Sequence, residues 1–348
     1  MNGMIARAPP DSSSGRLAWL MSKNPSTRTD RPKIGLALAG GGPEGAIYEI
    51  GVLRALDEAL DGFDCTDLHT YVGVSAGAFI AACVANRISS PQLCRAIVKS
   101  EPGEHPIRPG VFFTPALREF LQRSMMTPQL ALEALWQYAR RPWDQRLRES
   151  MFRLARALPV GLFDNEPIRA FLKRIFSMKC RTDDFSALDR RLLVIAADLD
   201  SGEAVRFGEP DFDHVPISRA IQASCALPGV YPPVNIDGRD YVDGVLLKTL
   251  HGSVAIDAGA ELVLCVNPIV PVDTERAIGE GVMRRGKLVH RGLPTVLAQT
   301  FRTLVRSRLS AGMAAYIDRY PDTDVVLVEP RRDDYRMFFT NVFRFSSR

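Results

Sequence analysis

Two short apolar runs, each ending at glycine or serine and passing at once into a helical pattern, constrain this chain more than any other feature. Ile34 to Ala39 reads as a buried parallel strand. Gly40, Gly41 and Gly42 follow it, then a helix carrying Ile47, Ile50, Val52, Leu53, Leu56 and Leu60. His69 to Val74 is strand-like, and Ala76 to Ala85 is small, apolar and suited to a closely packed helix, with Ser75 at the junction. The alternation continues. A helix through Ile168, Phe171, Leu172 and Ile175 can be capped by Asp164 or Asn165, and Ile217 to Ala223 reads as a short helix. Strands are predicted at Arg191 to Ala197, Glu203 to Phe207, Glu261 to Val266 and Asp324 to Val328. Such alternation predicts α/β layers around a mainly parallel sheet.

Around this unit the sequence divides by composition. Residues 1–32 are rich in Ser, Pro, Asn and Arg without apolar periodicity, which predicts a disordered leader. The domain is expected over 33–270. Within it, about 89–158, helical segments are broken by Pro102, Pro106, Pro109, Pro115, Pro128 and Pro142 and interleaved with Phe112, Phe113, Trp136 and Trp143, as in a lid-like insertion. Residues 271–348 form an expected C-terminal extension on the same domain. There Leu293, Val296, Leu297, Phe301, Leu304, Val305 and Leu309 predict a long amphipathic helix with its apolar face on the core.

With 46% hydrophobic residues in 348, the chain can bury a sizeable core. Its formal charge of +4, from 44 basic and 40 acidic residues, gives no bulk reason to expect nucleic acid. The six cysteines show no C-x-x-C spacing, which suggests reduced thiols and a cytoplasmic setting. No apolar run approaches the roughly 20 residues that span a bilayer, so membrane contact is expected to be peripheral.

Gly73-Val74-Ser75-Ala76-Gly77 is a G-x-S-x-G sequence, whose glycines permit the sharp turn that lifts a serine hydroxyl out of the backbone. Alone it is a moderate signal, since roughly one chain in ten of this length carries such a pattern by chance. Its position between a strand and a small-residue helix is what a nucleophile elbow requires; a tight structural turn is the plain alternative. Acyl transfer also needs donors for the developing oxyanion. Consecutive backbone N–H groups at Gly40, Gly41 and Gly42, near a helix N-terminus, can supply them. With Gly45 these glycines also satisfy G-x-G-x-x-G, but Asp61, Asp64 and Asp67 precede the second strand instead of ending it, as a dinucleotide site would need. No Gly-Lys-Ser/Thr follows for a phosphate loop. The base is less plain. Among His69, His105, His214, His251 and His290, His251 is the best triad candidate by chain order, and it reads as a surface residue in a polar turn. Asp243 closes a short strand before Gly244, where its carboxylate can emerge at the sheet edge near Ser75.

Gly40 to Gly45, Gly73 to Gly77 and Asp243-Gly244, in that order, resemble the signatures of patatin-like phospholipases, as do Gly161 to Asp164, Ala196 to Leu199 and AIQASCALPGVYPP from Ala220 to Pro233. The resemblance runs from about Lys33 to Pro268. It implies a three-layer α/β/α sandwich and a Ser-Asp dyad that removes acyl chains from lipids or lysolipids without a histidine. Ser75 would be the nucleophile, Asp243 its base, and Gly40, Gly41 and Gly42 the oxyanion loop, with Gly45, Gly73, Gly77 and Gly244 supporting the turns. No metal or organic cofactor is implied. Two departures stand out: Glu44 where the family commonly has Arg or Lys, and Val245 where it commonly has Gly or Ala. Glu44 should turn to solvent or to a nearby Arg. A disabled hydrolase scaffold that binds lipid or a partner, and an acyltransferase, are the alternatives.

Overall fold

In the computed structural model, which describes residues 32–99, 101, 109–117, 159–281 and 287–333, strand β1 (Ile34–Leu38) leads through the glycines into helix α1 (Gly42–Ala59). Strand β2 (Thr70–Val74) leads through Ser75 into α2 (Ala76–Ala85), and α3 (Ser90–Leu93) runs on as a π-helical turn to Val98. Then come α4 (Glu166–Phe176), β3 (Arg191–Asp198), β4 (Ala204–Phe207) and α5 (Ile217–Ser224). The hairpin β5 (Val234–Ile236) and β6 (Arg239–Asp243) precedes α6 (Gly252–Asp257) and β7 (Leu262–Val266). Helices α7 (Thr274–Gly279), α8 (Lys287–His290) and α9 (Leu293–Arg319) and strand β8 (Asp324–Val328) follow. The expected leader, Trp136 and Trp143 of the expected insertion, and the tail from residue 334 lie outside the described residues.

The sheet has the order β5-β6-β3-β2-β1-β7-β8, with β4 also on β3. From β3 to β8 neighbours run parallel, and β4, β5 and β6 add antiparallel pairings. Strands β2 and β7 are buried at every position, the pattern of parallel strands covered on both faces. Alternation along β1 divides its side chains between two cores. Leu36 and Leu38 join α1, α2, α4 and α5, while Ala37 and Ala39 join α6 and the inner face of α9. Helices on both faces make the fold a three-layer α/β/α sandwich, as the sequence leads one to expect.

Three local readings need correction. The β5–β6 hairpin goes beyond the expected strands; its turn, Asp237-Gly238, takes φ 52° and 83°, the geometry that Asp-Gly favours in two-residue hairpin turns. His251 is 7% exposed rather than a surface residue, because the chain turns inward to start α6. On α9 the apolar residues do not form one buried stripe. Val305 and Leu309 enter the core, whereas Leu293, Leu297 and Leu304 are more than half exposed. Leu293 and Leu309 lie about 160° apart around a regular helix, so one face cannot bury both. No helix among the described residues is long and apolar enough to cross a membrane.

Candidate active site

Strand β2 ends at Val74, and Ser75 takes φ 55°, ψ −125° before α2 begins. A non-glycine residue held there costs about 1–3 kcal/mol, so the surroundings must impose it. The Ser75 N–H donates to Ser224 Oγ at 2.8 Å, and Ser224 in turn donates to the Ile195 carbonyl at 2.5 Å. The Ser75 carbonyl accepts from the N–H groups of Ala78 and Phe79. Gly73 and Gly77 allow the close approach: a Cβ on Gly73 would stand 2.4 Å from Ala78 Cα, and one on Gly77 2.5 Å from the carbonyl oxygens of Leu38 and Ala39. Sequence reasoning missed the part of Ser224; its only local signal is a small polar residue at the end of a buried helix.

Asp243 reaches the same place from another strand. Register on β3 sets Val74 of β2 opposite Ile195 and Asp243 of β6 opposite Ala196, so the two strand ends arrive at consecutive residues of one neighbour. Ser75 and the Asp243 carboxyl line the same cavity, and Asp243 Oδ1 accepts from the Val245 N–H at 3.0 Å. Gly244 keeps this junction tight, since a Cβ there would lie 2.8 Å from the Ile195 carbonyl oxygen. Asp243 is 2% exposed. Burial pushes its pKa up to about 7 although the neighbouring Ser75 hydroxyl and the Val245 N–H favour the ionised form. Cys225 lines the cavity beside Ser75, and burial holds its thiol protonated.

The glycine loop closes the site from the β1 side. A Cβ on Gly40 would meet Ser75 Cβ at 3.2 Å, and one on Gly41 would meet Pro268 Cγ at 2.6 Å and Gly45 Cα at 2.8 Å. Gly42 has φ 61°. The three amides are not equivalent. Gly40 N–H donates to the Thr249 carbonyl at 3.3 Å, whereas those of Gly41 and Gly42 make no hydrogen bond among the described residues. The same holds for Ala76, which follows the serine and to which the sequence reading gave no part among the oxyanion donors. Gly41, Gly42, Ala76, Ser75 and Asp243 all line one cavity of about 390 Å³, where the N-terminal ends of α1 and α2 converge. Phe79, Phe112, Phe113, Ile168 and Tyr231 make its walls largely apolar, and Tyr231 donates to the Phe112 carbonyl at 2.7 Å.

Glu44 does not face the loop amides as an isolated charge; its carboxylate lies 3.8 Å from the Arg302 guanidinium of α9. Burial raises its pKa, with Arg302 pulling the other way. Val245 lines the cavity, its methyl over Gly40 and its N–H on Asp243. None of the described histidines lines it. His69 bonds the Ala258 carbonyl, His214 pairs with Asp237, and burial with the nearby Lys248 charge pushes His251 down to about 3. Asp57, Asp64 and Cys65 stand close enough together to hold a metal ion, but the Asp57 carboxylate already accepts from the Cys65 N–H and thiol and from the Ser90 hydroxyl.

A serine held in a strained turn between strand and helix, beside loop amides without partners among the described residues, has the backbone shape of a strand-to-helix elbow on an α/β sheet. The family model described as patatin-like phospholipase matches residues 36–251, and the chain belongs to that family, whose members are typically lipid acyl hydrolases. Two solved structures are similar more distantly. VipD from Legionella pneumophila is 14% identical with a TM-score of 0.35, over 76% of this chain and 58% of that one. ExoU of the Pseudomonas aeruginosa type III secretion system, in complex with SpcU, is 19% identical with a TM-score of 0.29, over 56% of this chain and 39% of that one. The chain thus spans well under two thirds of either protein, and both likenesses are too loose to carry residue roles across.

Proposed function

We propose that the protein hydrolyses acyl esters of lipids, in the manner of a phospholipase A or lysophospholipase, through a Ser75–Asp243 dyad. Ser75 Oγ attacks the ester carbonyl while Asp243 takes its proton. The carbonyl oxygen becomes an oxyanion held by the Gly41 and Gly42 amides, with Ala76 beside them. Of the expected three-glycine loop, Gly40 serves by lacking a side chain against Ser75, since its amide is turned to Thr249. Collapse breaks the bond to the alcohol oxygen, which receives the proton from Asp243, and leaves the acyl group on Ser75. Water, deprotonated by the same carboxylate, then attacks the acyl-enzyme and frees the fatty acid and the serine. The cavity's apolar walls suit an acyl chain.

The observation that carries this reading is the shared β3 register, which brings the strand ends bearing Ser75 and Asp243 to consecutive residues of one neighbour. A base must be ionised, so kcat/KM for a soluble short-chain ester should rise with pH along a limb with an apparent pKa near 7. The limb should survive replacement of each histidine in turn by glutamine. Its disappearance in any one of those variants would transfer the base role to that histidine and sink the dyad.

A further inference from the structure

Helix α9 lies outside the segment that matches the family model, yet it forms one wall of the cavity, where Ala298, Phe301 and Arg302 join Ser75 and Asp243. Arg302 is the one lysine or arginine lining that cavity among the described residues. Its guanidinium lies 3.8 Å from the carboxylate of Glu44, two residues beyond Gly42, a separation longer than a hydrogen bond. Both side chains are about a quarter exposed, at 24% and 26%, so the pair sits at the rim between solvent and the apolar interior.

We infer that an ester seated with its acyl chain against the apolar walls turns its alcohol-side substituent toward this rim, where Arg302 is a specificity-determining residue that selects esters carrying a phosphodiester beside the scissile bond, in competition with Glu44; this rests on the hydrolase reading above. A guanidinium is always charged and its planar fork matches phosphate oxygens in pairs. Partial desolvation strengthens its attraction for an anion relative to a cation in open water. Glu44 is a weakened rival for it, because burial favours the neutral form of that carboxyl. An uncharged ester of the same chain length gains nothing from Arg302.

The test compares lauroyl-lysophosphatidylglycerol with monolauroylglycerol in neutral-detergent micelles. Arg302→Gln should lower the ratio of kcat/KM for the phosphodiester substrate over the neutral one about tenfold or more, mainly through KM. Arg302→Lys should recover part of the loss, and Glu44→Gln, which removes the competing acid, should lower KM for the phosphodiester. Equal losses on both substrates would mean that Arg302 only anchors α9, and would overturn the inference, as would an unchanged ratio. Relief of laurate inhibition with the ratio unchanged would assign the cation to the product carboxylate and reject the phosphodiester. If the unmodified chain hydrolyses neither lipid, the hydrolase reading falls by itself. Equilibrium binding of the two lipids then decides for Arg302: Arg302→Gln must still weaken the phosphodiester alone, and a common or absent effect rejects it.

Discussion

Ser75→Ala should lower kcat/KM for a soluble ester by on the order of a thousandfold or more while leaving the protein folded. No neighbouring group replaces the lost nucleophile. The Cys225 thiol, which lines the same cavity, is held protonated by burial. The elbow itself should persist, because it is fixed by backbone bonds to Ser224, Ala78 and Phe79 and by the absence of side chains at Gly73 and Gly77, none of which involves Oγ. Steady-state hydrolysis together with a thermal melt checks both halves. Turnover close to that of the unmodified chain would rule Ser75 out as the nucleophile.

Asp243→Asn should cost a comparable factor in turnover and at the same time stabilise the fold. The carboxyl has a folded pKa of about 7 against an ordinary 3.8, raised chiefly by burial. A raised carboxyl pKa means that the folded state holds more protons than the unfolded one between those values. Stability therefore falls as pH rises from about 4 to about 7, and the full penalty is present above 7. Three pKa units correspond to about 4 kcal/mol as an upper figure. Asparagine carries no such penalty and keeps an oxygen for the Val245 N–H. Denaturant melts should show the variant more stable by up to that amount at pH 8 and nearly equal to the unmodified chain at pH 4. A variant less stable at pH 8 would contradict the burial argument, and one with full activity would contradict the base role. An acid stabilised for catalysis at the expense of the fold is the expected trade where function needs a buried charge.

Much of this site could be read from the sequence because its parts are local. Gly73 and Gly77 bracket Ser75 within five residues, Gly40 to Gly42 follow an apolar strand directly, and Asp243-Gly244 closes a strand, so short-range turn chemistry announces each piece. The layered α/β class follows from the same alternation. What was not legible depends on residues that meet only in the fold. Ser224 supports the elbow from another helix, and Thr249 withdraws the Gly40 amide from the loop. The partner of Glu44 sits on a helix whose own periodicity says nothing about the cavity. The burial of His251 and the division of α9 into an inner face at Val305 and Leu309 and an exposed one at Leu293 and Leu297 also arise from tertiary packing. The β5–β6 hairpin is a different case, since Asp237-Gly238 carried a usable turn signal.

The dyad can be tested without knowing the lipid, because an alkyl fluorophosphonate reacts with an activated serine whatever the natural ester. Peptide mapping by mass spectrometry should find a single phosphonyl adduct on Ser75, formed faster as pH rises through 7 and no longer formed at a measurable rate in Asp243→Asn. An adduct on a different serine, or labelling of Asp243→Asn at the rate of the unmodified chain, would contradict the account.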